Sequence, residues 1–298
     1  MKNFLFVIFE FLSRVFSRLS RVSLGLALRS RSNDIQRRSV IFSTRHDMVK
    51  APEESFYAEQ YWQTMLPHLS KLPQDAKILD LGCGQGRFLV KLGKLFTKGQ
   101  IVGCDLSEGA IAQAKGYVAQ SLKRNIDLRV QSISDCLNSF GEKSIDAALV
   151  NEVTFFYPDW KLDLPQIIKV LKPGGFIIIS FRPQYFSALQ LIRERLWSSI
   201  ETLLQKRQGR ILGSSTIYTW HTSKEIKMLF DQEYDLTLLE LKGVGVCSGI
   251  AYDPHDYICQ PSLLNAQERK QLMKLELEFG KDFPDGGRYM LAVACKSK

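Results

Sequence analysis

A short apolar segment of the chain runs straight into a turn that contains three glycines. The apolar segment is Lys77–Leu81, and the glycines that follow it are Gly82, Gly84 and Gly86. Glycine lets a backbone turn sharply and approach a ligand closely, because it has no Cβ. The apolar residues from Phe88 onward recur at helical spacing. The segment therefore predicts a strand, a tight turn and a helix, with the turn able to hold a ligand.

An acidic residue ends the next predicted strand, Ile101–Cys104. Asp105 stands 19 residues after Gly86, and a carboxylate at this place can accept hydrogen bonds from both hydroxyls of a ribose. A dinucleotide-binding turn needs its last glycine where this chain has Arg87. The pattern therefore indicates a ligand that contains a nucleoside and disfavours NAD.

Strands and helices alternate from about Ala76 onward, which favours a largely parallel sheet covered by helices. Ser107 is a suitable N-cap for the helix that follows the second strand. Further strands are predicted at Ile126–Val130, Ala147–Val150 and Phe176–Phe181. We expect an extension over residues 1–50 and one folded domain over residues 51–298, with a helical insertion at residues 182–223 before the sixth strand.

Four segments, in order, resemble the motifs of the class I S-adenosylmethionine-dependent methyltransferases. They are Ile78–Gly86, Asp105-Leu106, Ser144–Asn151 and Leu171–Gly175. Together the motifs cover roughly residues 60–181. The resemblance implies the α/β, Rossmann-like fold of that family, in which helices flank a seven-stranded sheet whose last strand is antiparallel. Tyr289–Ala294 suits that last strand.

The same resemblance implies that S-adenosylmethionine is the cofactor. Its methionine end would lie against Asp80 and the glycine turn, its ribose against Asp105 and its adenine against Leu106. Many relatives place an acid for the adenine amino group where this chain has Ile133, so either Asp135 or the backbone would make that contact. Cys83 is expected to be a small turn residue without a redox role. The implied cofactor site consists of Asp80, Gly82, Cys83, Gly84, Gly86, Asp105, Leu106, Ile133 and Asn151.

The residues that handle the acceptor are less constrained. Methyl transfer from a sulfonium requires alignment, exclusion of water and sometimes removal of a proton, so no fixed catalytic motif is needed. Glu152 and Tyr157 stand where members of the family often face the acceptor. His221 is the candidate general base, because an imidazole can take up a hydroxyl proton near neutral pH. The alternative is a structural histidine that caps the following helix or packs on Trp220.

The segment after the fifth strand is loosely similar to the O-methyltransferases of ubiquinone biosynthesis. It combines a predicted amphipathic helix near residues 186–204, an aromatic stretch Tyr218–Thr222, a helix from Ser223 and the ending Gly287–Met290. This similarity implies O-methylation of a small, lipophilic, hydroxylated acceptor. A soluble metabolite or a sugar is the second hypothesis. A non-catalytic cofactor-binding assembly protein is the third.

The positive charge of the chain is concentrated at its start. Residues 1–50 hold ten Lys or Arg and three Asp or Glu, which leaves little of the net charge of +9 for the rest of the chain. A nucleic-acid partner is therefore not expected, and the chain also lacks the Asn/Asp-Pro-Pro-aromatic run of base and glutamine methyltransferases. The cysteines and histidines lack metal-ligand spacing, so no metal is expected. Nothing in the sequence decides the oligomeric state.

Residues 1–30 alternate Phe and Leu with Arg at helical spacing. This pattern favours peripheral contact with a membrane surface. A transit peptide and a helix packed on its own domain are the alternatives. The expected location is accordingly the cytoplasm, at a membrane surface, or an organelle after removal of a transit peptide.

Overall fold

The computed structural model describes residues 47–121, 125–210, 217–232 and 235–297. The predicted amphipathic segment at residues 1–30, with its expected membrane contact, lies outside the described residues. None of the helices in the described ranges is long and apolar enough to cross a membrane.

Nine strands and nine helices longer than a single 3₁₀ turn are present within these ranges. The strands are β1 (Lys77–Leu81), β2 (Gln100–Asp105), β3 (Ile126–Val130), β4 (Ile145–Val150), β5 (Leu171–Phe181), β6 (Gln208–Arg210), β7 (Ile217–Thr219), β8 (Leu236–Val244) and β9 (Tyr289–Lys296). The helices are α1 (Pro52–Leu69), α2 (Leu89–Leu95), α3 (Glu108–Gln120), α4 (Ile133–Leu137), α5 (Trp160–Val170), α6 (Gln184–Arg193), α7 (Ile200–Gln205), α8 (Ser223–Gln232) and α9 (Ala266–Asp282).

Seven of the strands form one sheet in the order β3-β2-β1-β4-β5-β9-β8. The first five run parallel, while β9 is antiparallel to both β5 and β8. Helices α1, α2, α3 and α9 cover one face of the sheet, and α4, α5 and α8 cover the other. Strand β4 is buried along its whole length, as expected of a strand covered on both faces. The predicted seven-stranded fold with an antiparallel last strand is confirmed.

The insertion after β5 differs from the prediction. The prediction of a single helix near residues 186–204 was wrong, because α6 ends at Arg193 and Arg195 has a φ of 56°. A residue in this left-handed region cannot continue a right-handed helix. After a short 3₁₀ turn, α7 follows, and then β6 and β7 pair as a small antiparallel sheet. The insertion is therefore helical only in part.

The glycine turn is attached to the end of the neighbouring strand. The amides of Gly82 and Cys83 both donate to the carbonyl of Cys104, at 2.8 and 2.9 Å. Because the carboxyl ends of parallel strands meet at one edge of a sheet, this attachment brings the turn after β1 next to Asp105 at the end of β2. Ligands of open α/β sheets bind at this edge.

Candidate functional site

Open space lies in front of the middle glycine of the turn. Gly82, Gly84 and Gly86 have φ values of 73°, 52° and 84°, a region that glycine adopts readily. A Cβ added to Gly84 would meet no atom within 4 Å, whereas one added to Gly82 would lie 2.4 Å from the Cγ2 atom of Val153. Gly82 is thus packed against the protein, and Gly84 leaves room for a ligand.

The carboxylate of Asp105 is held in one orientation by two backbone amides. Its Oδ2 atom accepts from the amide of Gly84 at 2.9 Å, and its Oδ1 atom accepts from the amide of Ser107 at 2.8 Å. The side chain therefore connects the glycine turn with the start of α3, where Ser107 also caps the helix. A carboxylate fixed beside a glycine turn is the arrangement that binds ribose hydroxyls. The geometry supports the predicted ribose contact.

Asp80 is a buried carboxyl group that belongs to the same site. Only 3% of the residue is exposed, and its Oδ2 atom has no hydrogen-bond partner among the described residues. Burial raises the pKa of Asp80 to about 7, with a further rise from the charge of Asp105 and an opposing effect of Arg87. A cationic group, such as the ammonium of a methionine moiety, would favour the ionised form of this carboxyl.

The affinity for S-adenosylmethionine should therefore increase with pH. Between about pH 6 and about pH 8 the ionised fraction of a group with this pKa rises roughly tenfold, and the affinity for S-adenosylmethionine should rise by about the same factor. In Asp80→Asn, we expect weak binding that changes little over this range. Isothermal titration calorimetry at several pH values measures both effects, with Asp127→Asn as a surface control. An affinity of the unaltered protein that is independent of pH would contradict the assignment.

The same pKa has a consequence for folding. Because the pKa of Asp80 is higher in the folded protein than in the unfolded chain, the folded protein binds a proton more readily between about pH 4 and about pH 7. The contribution of this group to the free energy of unfolding is complete below that window and is lost as the pH rises through it. Asp80→Asn should remove this dependence.

Two residues at the end of β4 complete this side of the site. The side-chain Nδ2 atom of Asn151 lies 3.8 Å from the sulfur of Met65, and its Oδ1 atom is buried without a partner among the described residues. Glu152 follows with a φ of 59°, and its amide donates to the hydroxyl of Ser180 at 2.6 Å. A non-glycine residue in this conformation costs about 1–3 kcal/mol, and such residues cluster at functional sites.

Arg87 has a role that the sequence analysis missed. Its guanidinium lies 2.7 Å from the carboxylate of Glu152 and 3.1 Å from that of Glu54 on α1. The residue directly after the glycine turn therefore joins α1 to the end of β4. The turn is also bonded to the first described residues, since the amide of Met48 donates to the side-chain oxygen of Gln85 at 2.8 Å.

Mostly apolar side chains surround the place expected for the adenine. Ile133 and Tyr157 line a small cavity together with Trp160, and Leu106 follows Asp105 as a partly exposed apolar residue.

Asp135 is exposed and takes part in the cap of α4, where its carboxylate accepts a hydrogen bond from Ser132 at 2.6 Å. Gln131 is a residue that the sequence analysis missed, and its buried Oε1 atom has no partner among the described residues. An adenine amino group could satisfy this acceptor.

His221 is buried among aromatic side chains. Its ring stands edge-on to Trp160 at 5.7 Å and to Phe181 at 5.6 Å, and 7% of the residue is exposed. Burial, and then the charge of Lys161, lowers the pKa of His221 to about 4, so the imidazole is neutral at pH 7. The Nε2 atom has no hydrogen-bond partner within the described ranges.

Neither structural alternative for His221 matches these contacts. The indole of Trp220 donates to the carbonyls of Leu203 and Lys206 instead of facing the imidazole. The start of α8 is capped by Thr222, whose hydroxyl accepts from the amide of Glu225 at 3.2 Å. His221 instead lines a cavity of about 320 Å³.

The three predicted catalytic residues make different polar contacts, although Tyr157 and His221 both lie beside Trp160. Glu152 pairs with Arg87. Burial raises the pKa of Asp163, and a hydrogen bond from Tyr157 opposes this rise. His221 lines the cavity of about 320 Å³. Their roles in catalysis stay predictions.

Cys83, the cysteine of the glycine turn, is a buried thiol. All six cysteines are free thiols, and burial raises the pKa of Cys83 well above its ordinary value. A buried neutral thiol is a poor nucleophile. In the part of the chain that the structure describes, no three His, Cys, Asp or Glu side chains form a group that could hold a metal ion.

Comparison with known proteins identifies related sequences and folds. Residues 72–240 match the profile of a family described as a methyltransferase domain. Trans-aconitate 2-methyltransferase of Variovorax paradoxus is 29% identical over 108 residues, which cover 36% of this chain and 39% of that protein. Ubiquinone/menaquinone biosynthesis C-methyltransferase UbiE of Wigglesworthia glossinidia brevipalpis is 31% identical over 141 residues, which cover 46% of this chain and 56% of that protein. The chain thus spans about half the length of these relatives.

A solved structure shares the fold over most of the chain. Magnesium protoporphyrin IX methyltransferase from Synechocystis PCC 6803, solved with bound S-adenosylhomocysteine, superposes with a TM-score of 0.51 at 13% identity. The superposition covers 85% of this chain and 89% of that protein.

Proposed function

The chain belongs to the methyltransferase domain family, and we propose that it O-methylates a small, lipophilic, hydroxylated molecule. S-adenosylmethionine is the cofactor, in keeping with the family and with the neighbour of the same fold that binds S-adenosylhomocysteine, its demethylated product. The observation that carries methyl transfer from this cofactor is the turn in which the amide of Gly84 holds Asp105 beside open space; the acceptor is argued from the cavity that His221 lines. These groups would hold the ribose, while Asp80 and Asn151 would hold the methionine end.

S-adenosylmethionine supplies a methyl group on a sulfonium, so the protein must align the acceptor, exclude water and take up one proton. The acceptor oxygen forms a bond to the methyl carbon as the bond from that carbon to sulfur breaks. The hydroxyl proton would pass to His221, whose imidazole is neutral at pH 7 and, with a pKa of about 4, is a weaker base than an exposed histidine. We infer that the cavity that His221 lines holds the acceptor.

The lining of that cavity supports a lipophilic acceptor. Trp160, Ile226 and Leu229 contribute largely buried apolar side chains, and sites for small molecules are mostly apolar with a few placed polar groups. The names of the relatives are divided between quinone biosynthesis and trans-aconitate. A soluble metabolite is therefore the second candidate, and the quinone relative is named for transfer to carbon instead of oxygen.

Replacement of His221 tests the proposed base. His221→Ala should lower turnover by about 10²–10⁴-fold and leave the affinity for S-adenosylmethionine unchanged. His221→Phe preserves the aromatic packing on Trp160 and Phe181, so it separates loss of the base from loss of packing. The assay measures transfer of radiolabelled methyl into an extract of the source cells, which is then divided between organic solvent and water.

The phase that contains the label decides between the candidates. Label in the organic phase supports the lipophilic acceptor, whereas label confined to water supports a soluble metabolite. Unchanged turnover in His221→Phe would exclude His221 as the base. Tight cofactor binding without any transfer would favour a non-catalytic assembly protein.

A further inference from the structure

The cavity beside His221 lies between the start of α5, the strand β7 and the helix α8. Its volume of about 320 Å³ falls at the lower end of the range for sites that bind small molecules, about 300–1,000 Å³. Trp160 and Leu229 form an apolar wall, each with 4% of the residue exposed. A flat apolar body of one or two rings would lose its contact with water against this wall.

Two cationic side chains stand at the same cavity. Arg207 forms an ion pair with Glu225, and both line the cavity. The ammonium of Lys161 lies 5.7 Å from the centre of the Trp160 ring, and no carboxylate of the described residues is within ion-pairing distance of it. Among the described residues, the positive charge of Lys161 therefore has no adjacent negative partner.

The polar group deeper in the cavity is neutral. His221 is buried and its Nε2 atom lacks a partner among the described residues. Lys161 and Arg207 both oppose protonation of this imidazole, and Glu225 favours it. The cavity thus combines an apolar wall, a neutral imidazole and an excess of positive charge, which suits a molecule with an apolar body and an anionic group.

We propose that the acceptor is an amphiphilic anion, an aromatic hydroxy acid in chemical class, whose carboxylate pairs with Lys161 while its ring packs on Trp160. This inference rests on the proposed function, because it places the acceptor in the cavity that His221 lines. The carboxylate is distinct from the hydroxyl that receives the methyl group. It sets the orientation of the ring, so that the hydroxyl can point toward His221.

The test compares a charged and an uncharged probe of equal size. Isothermal titration calorimetry of the full chain without cofactor should show 2-naphthoate binding about three- to fivefold more tightly than 2-naphthamide, which corresponds to one exposed charge contact. Lys161→Met retains most of the apolar stem and should weaken binding of 2-naphthoate by about three- to fivefold, with no effect on 2-naphthamide.

Lys169→Met is the matched control. Lys169 lies on the same helix α5, is exposed, pairs with Glu142 at 3.0 Å and does not line the cavity. It should leave the binding of both probes unchanged. Equal affinities for the two probes would overturn the inference, as would equal losses in Lys161→Met and Lys169→Met.

A competition assay separates this inference from the proposed function. 2-Naphthoate should inhibit methyl transfer into the extract competitively, and less strongly in Lys161→Met. Charge-selective binding that does not inhibit transfer would show that the acceptor binds elsewhere, which overturns the inference and leaves O-methylation standing. Absence of transfer to any extract would overturn both, even though the binding measurement would still report on the cavity.

Discussion

In Asp105→Ala the affinity for S-adenosylmethionine should fall at least about a hundredfold, because hydrogen bonds to a charged group contribute about 1.5–3 kcal/mol each. The carboxylate is expected to accept the ribose hydroxyls, and it also holds the amides of Gly84 and Ser107. Its removal therefore deletes the ribose contact and releases the glycine turn. Asp105→Asn retains one acceptor oxygen and should lose less affinity than Asp105→Ala.

Calorimetric titration with S-adenosylmethionine measures both variants. Asp127→Asn is the matched control, since Asp127 lies on the adjacent strand β3 and pairs with Arg129 at the surface. It should bind the cofactor normally. Retention of affinity in Asp105→Ala, in a protein with an unchanged circular dichroism spectrum, would show that the ribose lies elsewhere.

Two substitutions in the glycine turn should affect different properties of the protein. At Gly82, a new Cβ would lie 2.4 Å from Val153 in a left-handed backbone conformation, so Gly82→Ala should lower the free energy of unfolding by about 2–5 kcal/mol. At Gly84 the space is open, and Gly84→Ala should lower it by only about 1–2 kcal/mol. The folded Gly84→Ala protein should nevertheless lose cofactor affinity, because its Cβ occupies the space that the ligand needs.

Denaturant unfolding and calorimetric titration together measure this pair of effects. Gly116→Ala is a control, because Gly116 lies in helix α3 and a Cβ there would meet nothing within 4 Å. It should bind the cofactor normally and should not be less stable. Normal cofactor affinity in Gly84→Ala would mean that the open space beside this glycine is not part of the cofactor site.

Local patterns predicted the part of the site that is built from neighbouring residues. The strand Lys77–Leu81, the glycine turn and the acid at the end of the next strand are each encoded within a short stretch, and the parallel sheet then brings them together. The helix of the insertion was predicted wrongly beyond Arg193. Its apolar periodicity continues past the point where Arg195 takes a left-handed conformation, so the pattern alone did not reveal the break.

Contacts between distant residues could not be predicted in this way. Arg87 meets Glu54 and Glu152 across 33 and 65 residues of sequence, and no local pattern marks such a partnership. The Oε1 atom of Gln131 has no partner among the described residues, and His221 is surrounded by aromatic rings. Both features likewise depend on packing between elements. A single sequence shows which residues can carry out the chemistry, but it does not show which of them meet.

The contacts between the start of the described chain and the glycine turn provide a structural route for thermodynamic linkage. Met48 is bonded to Gln85 in the turn, and Arg87 joins the same turn to α1 through Glu54. A binding event upstream of Met48 that favours one arrangement of these contacts would change the affinity for the cofactor. By reciprocity, the cofactor would change the affinity of that event by the same factor. The size of this effect would depend only on how much more strongly the upstream event favours one arrangement of these contacts than the other.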